Sequence, residues 1–379
     1  MEEQLAIEKL FNMDSYDRKI LSLLYEDPTL SYTEIGKTVG KSGPAVGARL
    51  LKLERANLIT MAYGLNVKEF QIPMAFVKMQ AREPSKLITA IKGCPFVINI
   101  FTTTGPDNVM VWMIGSNITK LEEIIDTQFR SVPGISKVQV SFSIESLKDV
   151  VLPVDYRFEM HQEMECRTEC KPVRNLNLNE EEKLCFPETS DVNDHFSIDD
   201  DDKRIMMFLQ AEPTMTHAEI GQRIGKSQPA VGTRIAKLRK RGLFRMWKGV
   251  NFKLLEHMHA MEVWMTTRNV SRLAEKLRHC PHAIAAFRVT GEKSIVALFA
   301  GHSIQLLQDL INGCLRRDED VVCLETNMLV TMERDLILPY AFETEEYKYS
   351  GCPACNYAAD LSPYLSEIIP GLVKTQKSS

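Results

Sequence analysis

The densest chemistry in this chain is positive. From Ile220 to Asn251 there are nine basic side chains and no aspartate or glutamate, the electrostatic footprint of a phosphate-backbone partner. Within that stretch Lys226, Ser227, Arg234 and Lys237 are candidate phosphate contacts. Gln228 could donate to and accept from an adenine edge, and Thr233 could meet a thymine methyl. A thinner version runs from Ile35 to Asn66, with five basic residues and one acid, Glu54; its matching candidates are Lys41, Ser42, Arg49 and Lys52. Each neutralised phosphate steepens salt dependence, so the second stretch should carry more of the affinity. Gly43, which stands where the second stretch has Gln228, cannot read a base.

A second chemistry resides in paired cysteines. Cys166-x3-Cys170 and Cys352-x2-Cys355 each begin 14 residues after the start of a Leu-Pro pair. Thiols at these spacings suit zinc half-sites, and two half-sites could supply four thiolates to one tetrahedral ion. The alternatives are separate sites completed by Cys185, His161 or His195, a redox-switchable dithiol, and unliganded thiols in the tails. Cys94, Cys280, Cys314 and Cys323 fall inside helix or strand patterns and read as buried apolar residues.

These residues come in duplicate because the chain is one long unit written twice. Lys41-Ser42-Gly43-Pro44-Ala45-Val46-Gly47-Ala48-Arg49 returns as Lys226-Ser227-Gln228-Pro229-Ala230-Val231-Gly232-Thr233-Arg234 at an offset of 185 residues. Cys94-Pro95, Thr104-Gly105 and Leu152-Pro153 return at an offset of 186 as Cys280-Pro281, Thr290-Gly291 and Leu338-Pro339. Between Asp27–Asn66 and Glu212–Asn251, 19 of 40 aligned residues are identical. A repeat of this length is a duplicated pair of domains rather than a solenoid unit, and two similar halves can form the two-fold pairing that other proteins reach by dimerising.

The basic stretches need a scaffold, and the pattern supplies one. Asp17 to Tyr25 has a helical apolar face and stops at Asp27-Pro28. Ser31-Tyr32-Thr33-Glu34 and Thr216-His217-Ala218-Glu219 are capping boxes, and Gly40 or Gly225 ends the short helix that follows. Ser42 or Ser227 then caps a third helix running to about Asn57 or Gly242. Val46, Leu50 and Leu53 (Val231, Ile235 and Leu238) face its core, while Arg49 and Lys52 (Arg234 and Lys237) point another way. This is a helix-turn-helix, whose last helix enters a major groove. The acidic run Asp199–Asp202 is in register with Asp14–Lys19 and reads as a native helix start. Beyond each such block, strands at 75–81, 96–103, 108–115 and 135–144 and helices at 86–92 and 119–130 follow the order β-α-β-β-α-β, and the second repeat does the same over 261–329. That order is ferredoxin-like, with one sheet face covered by helices and the other free for the two halves to meet.

The expected architecture is therefore α+β. Helix-turn-helix domains occupy 1–66 and 198–252, ferredoxin-like domains 70–155 and 256–341, an acidic cysteine-containing linker 156–197 and a tail 342–379. The net charge of −4 and 44% hydrophobic content are ordinary for a globular protein. No apolar run reaches membrane-spanning length and Met1-Glu2-Glu3-Gln4 is no signal peptide, so we expect a cytoplasmic protein that does not enter membranes.

A helix-turn-helix carrying S-x-P-A-V-G-x-R-x-x-K-L, followed by a ferredoxin-like domain with a Thr-Gly turn, resembles the Lrp/AsnC (feast/famine) transcription regulators over roughly 14–155 and 199–341. The resemblance implies a winged helix-turn-helix and a RAM-type ferredoxin-like domain in each repeat, double-stranded DNA as partner and pairing of the ferredoxin-like domains, here between the two repeats. It also implies further homo-oligomerisation and a small-molecule or metal effector. Effector residues would then be Thr104, Gly105, Thr290 and Gly291, although the family's T-G-x-x-D turn lacks its acid here, with Asn108 or Ser294 in that place and Asp107 one position early. A plain hairpin is the alternative. Sirohaem decarboxylases resemble the same two-domain plan, so an enzyme of that kind is the rival reading; its candidates would be His279, His282 and His302, which have no counterpart in the first repeat.

Overall fold

The computed structural model describes residues 12–152 and 198–338, apart from 57, 71, 93, 95, 116, 149, 252–258, 281, 302 and 334–336. Repeat one opens with α1 (Ser15–Glu26), α2 (Tyr32–Val39) and α3 (Gly43–Arg55). Each start is fixed within four residues of chain. Asp14 accepts the N–H groups of Tyr16 and Asp17, Ser31 and Glu34 form a reciprocal capping box, and Ser42 caps α3 with Pro44 in its first turn. Gly40, at φ 69°, closes α2 in the left-handed region.

Then come β1 (Ile59–Asn66), the single turn α4 (Val67–Phe70), β2 (Met74–Ala81), α5 (Pro84–Ile91), β3 (Val97–Thr103), β4 (Val109–Ile114), α6 (Ile118–Ile125), β5 (Ile135–Ser146) and β6 (Val151–Leu152). Repeat two follows the same order with α7 (Asp200–Ala211), α8 (His217–Ile224), α9 (Gln228–Lys240), β7 (Phe244–Asn251), β8 (His259–Thr267), α10 (Val270–His279), β9 (Ala283–Val289), β10 (Ile295–Gly301), α11 (Ile304–Leu310), β11 (Val321–Met332) and β12 (Ile337–Leu338). The acidic run starts α7, with Asp199 as its cap. The helices expected at 119–130 and 304–315 keep α-geometry only to Ile125 and Leu310; each finishes as a π-helical turn, Asp126–Arg130 and Ile311–Leu315. Side-chain periodicity over so few residues does not distinguish the two.

The two ferredoxin-like sheets, β3-β4-β2-β5 and β9-β10-β8-β11, join edge to edge into a closed eight-stranded barrel. β5 pairs with β9 and β11 with β3, so each edge strand is paired with one from the other repeat, which removes the exposed sheet edges that invite aggregation. Inside, Phe76, Trp112 and Phe287 meet at ring-centroid distances of 5.0 to 5.6 Å, with Trp264 beside Phe76 at 6.4 Å. The apolar faces the pattern left free thus line one shared interior.

Strands β1 and β7 follow the basic helices, inside the spans 1–66 and 198–252 expected for the winged heads; the helical pattern alone did not mark them. They pair antiparallel with one another, from Ile59↔Val250 to Leu65↔Phe244, and β6 and β12 complete a second sheet. α1 packs against β7 and α7 against β1, so the head of each repeat rests on the strand of the other. Tyr63 and Phe244 stack across the ladder at 5.3 Å.

Candidate nucleic-acid interface

Each head sets its third helix through a close backbone approach. A Cβ at Gly36 would lie 2.4 Å from the Lys41 carbonyl oxygen, and one at Gly221 2.5 Å from that of Lys226, well inside van der Waals contact. Only glycine allows α2 to meet the start of α3, and α8 the start of α9. Ser42 and Ser227 accept the N–H groups of Ala45 and Ala230; a capping hydroxyl keeps its own proton for a phosphate. On α9, Gln228, Thr233 and Lys237 are exposed. The Thr233 hydroxyl donates to the Pro229 carbonyl at 2.9 Å, which leaves its methyl as the group to offer a base.

The two arginines expected at DNA have another task. Arg49 donates to Asp14 at 2.8 Å and Asp17 at 2.7 Å. Arg234 binds Asp199 at 2.7 Å and Asp202 at 2.9 Å. Hydrogen bonding to Asp17, opposed by burial, holds the Arg49 guanidinium above its ordinary value. Burial would lower that of Arg234, but its two aspartates outweigh it and raise it. Each guanidinium clamps the third helix of its head to the start of the first helix. Arg49 and Arg234, expected as phosphate contacts, thus also hold internal ion pairs within their heads.

Ion pairing also narrows the difference between the heads. Lys226 meets Asp201 at 3.1 Å and Lys248 meets Glu54 at 2.7 Å, while Arg239 donates to the Tyr63 hydroxyl at 2.8 Å. Lys237, Lys240 and Arg241 have no acidic partner among the described residues. In the first head, Lys41 sits 4.0 Å above the Tyr16 ring and Lys52 donates to the Asn12 carbonyl. The acids that neutralise the second head come from α7 and the first repeat, outside the stretch whose charge was counted.

The Thr-Gly turns face the seams of the barrel. Thr104 exchanges hydrogen bonds with Met328, its N–H donating at 2.9 Å and its hydroxyl accepting at 3.1 Å. Thr290 does the same with Phe142. Gly105 and Gly291 both stand at φ 102°, as the turn requires. All four residues proposed to touch an effector thus sit where one repeat is tied to the other.

Beside the first turn, sequence reasoning missed a buried polar cluster. Lys78 on β2 contacts Glu325 on β11 and lies 3.6 Å from Asp107; Lys137 reaches Asp107 at 3.0 Å. Glu262 on β8 is 1% exposed, and burial pushes its carboxyl up to about 7, against the pull of Lys78 and a hydrogen bond from the Trp264 indole. At the 186-residue offset Phe76 corresponds to Glu262 and Lys78 to Trp264, so the cluster is not repeated on the other side. A polar residue alternating with apolar ones on a strand was its only sequence signal.

Cys166, Cys170, Cys352 and Cys355 lie outside the described residues, as do Cys185, His161, His195 and His302. Among the described residues no group of three or more His, Cys, Asp or Glu is arranged to hold a metal ion. Cys94 and Cys280 are buried and Cys314 is half-buried; Cys323 departs from expectation, being exposed and hydrogen-bonded by Lys293 at 3.1 Å. His282, a residue of the enzyme reading, is buried with Nδ1 against the Ala300 carbonyl at 3.0 Å. No helix of the described residues is long and apolar enough to cross a membrane.

The AsnC-type helix-turn-helix domain matches twice, at 13–54 and 198–239, and the Lrp/AsnC ligand binding domain matches 74–151. The HTH-type transcriptional regulator LysM of Saccharolobus solfataricus is 32% identical over 129 residues, 33% of this chain and 88% of LysM. The chain belongs to the Lrp/AsnC family. The DNA-binding transcriptional activator DecR of Escherichia coli is 26% identical over 38% of this chain and 99% of its own length; each such relative spans about one repeat. Among solved structures, the siroheme decarboxylase NirDL aligns over 92% of this chain and 100% of its own at 13% identity, with a TM-score of 0.46.

Proposed function

We propose that this Lrp/AsnC chain is a sequence-specific transcriptional regulator, not an enzyme, in which the two repeats act as an intramolecular pseudo-dimer on double-stranded DNA. Gln228, Thr233 and Lys237, each exposed on α9, carry the DNA reading: a base reader in its first turn and a methyl contact and a phosphate contact further along. Lys226, Ser227, Lys41, Ser42 and Lys52 would add phosphate contacts. With Gly43 in place of Gln228, the first head would read less, so the operator would consist of two unequal half-sites.

The buried cluster supports pairing between unlike repeats. If repeat one paired with itself, Lys78 would face Gln139 and Phe76 of its partner instead of Glu325 and Glu262. If repeat two paired with itself, Trp264 would stand where Glu262 now meets Lys78, while Lys293, at the place of Asp107, would remain near Glu325. Unpaired buried charge is costly, so the unlike pair is favoured. A small-molecule or metal effector would act by tilting the repeats at the Thr104-Gly105 and Thr290-Gly291 seams, and further homo-oligomers would build on the paired unit. Cys166, Cys170, Cys352 and Cys355 would hold zinc or sense metal or redox state. Selecting bound sequences from a random duplex library tests the DNA reading. Two half-sites of unequal information content per chain are expected, and binding with no sequence preference would overturn it. Metal analysis of the purified protein, with serine replacing the four cysteines as control, tests the zinc site.

A further inference from the structure

The two ferredoxin-like domains share a frame but differ behind their sheets. In repeat two, Lys276 on α10 donates to the Cys314 carbonyl at 2.6 Å and pairs with Asp318 at 3.1 Å, while Arg272 pairs with Asp320 at 2.9 Å. Burial would raise the Asp318 carboxyl, but the Asp320 N–H and Lys276 hold it below its usual range. These contacts strap α10 to the loop entering β11, and Phe299, fully buried, fills the space beneath. At the 186-residue offset repeat one has Ala90 for Lys276, Val132 for Asp318, Gly134 for Asp320 and Met113 for Phe299. Both straps and the large ring are gone together.

What replaces them is a cavity of about 530 Å³ between α5, the π-helical turn after α6 and the back of the sheet, a size typical of small-molecule sites. Its walls are mostly apolar, with Leu87, Ile91, Val97, Met113, Ile124 and Phe129 among them. The charged residues on its lining are Arg82, Glu83 and Lys86, all at the mouth. Lys86 is paired with Glu83, which leaves Arg82 as the net charge; its guanidinium has no ion-pair partner among the described residues. The Arg82 N–H donates to the Gly134 carbonyl at 2.8 Å and fixes this rim.

We propose that this cavity is a ligand site of the first repeat alone, for an apolar molecule bearing one carboxylate, its chain between α5 and the sheet and its carboxylate on Arg82. This site is separate from the barrel seams and from the DNA heads. Decanoate, 1-decanol and decylamine, titrated into the full chain by calorimetry, test it. We expect decanoate to saturate one site per chain and to bind at least about tenfold more tightly than 1-decanol, the value of one charge-assisted contact, with decylamine weaker still. Arg82→Ala should erase the preference for decanoate over 1-decanol. Ala90→Lys with Val132→Asp, which grafts one strap of repeat two, should abolish binding of both, and so should Met113→Phe. Circular dichroism and melting temperature confirm that the variants fold; with two independent blocking designs, loss of one to misfolding leaves the other as the test. No saturable decanoate binding up to about 1 mM, the weak limit for a specific site, would overturn the proposal. So would equal affinity for 1-decanol, or unchanged binding in a folded blocking variant.

Discussion

Replacing Glu262 with glutamine should stabilise the protein at alkaline pH and do little at acid pH. Its carboxyl has an ordinary value of 4.5 and is raised to about 7 by burial inside the barrel. The sign follows from which state binds the proton. Below pH 4.5 both the folded and the unfolded chain hold it, and ionisation costs nothing. Between 4.5 and about 7 the unfolded chain ionises first, so stability falls as pH rises. Above about 7 both states are ionised and the loss is complete, at about 3 kcal/mol by linkage. Glu262→Gln keeps an acceptor for the Trp264 indole and cannot ionise. Lys78 keeps Glu325 and Asp107 as partners in the variant, so no new unpaired charge arises. Urea unfolding of both proteins at half-unit steps from pH 4 to 8.5 gives the difference curve. We expect a difference near zero at pH 4 that grows to about 3 kcal/mol in favour of the variant by pH 8. A flat difference, or a variant less stable at pH 8, would refute the account of Glu262 as a buried carboxyl held against its preference.

Further outcomes follow from the heads. Lys237→Ala should weaken binding to all duplex sequences alike and reduce the slope of log affinity against log salt by about one, whereas Gln228→Ala should keep the slope and relax the base preference in a binding-site selection. Arg234→Ala should lower stability by about 1–3 kcal/mol, since nearly buried Asp202 loses its partner, while DNA affinity per folded molecule stays within about threefold; Arg234→Lys should recover part of the loss. Gly221→Ala should destabilise the second head by at least about 1–3 kcal/mol, because its Cβ meets backbone rather than a yielding side chain, and protease cleavage between α8 and α9 should reveal it before global unfolding.

Much of this molecule is written locally. The repeat, the capping boxes at Ser31–Glu34 and Thr216–Glu219, the serine caps and the helix-ending glycines each depend on side chains within four residues, and the structure has them where the spacing put them. Strand alternation and helical periodicity likewise made the β-α-β-β-α-β order legible. The exposure of Gln228, Thr233 and Lys237 on α9 agrees with the helical pattern. Tertiary structure decided what each charge does. Arg234 is 35 residues from Asp199, and nothing near it in sequence says that its guanidinium is held by an aspartate. The pairing of β1 with β7, the burial of Lys78 and Glu262 in one barrel, and the cavity opened by Ala90, Met113 and Val132 all join segments far apart along the chain. Caps and periodicities act through the backbone of their own segment, so the sequence states them. The partner of a buried or paired charge is set only when the fold brings distant segments to the same place.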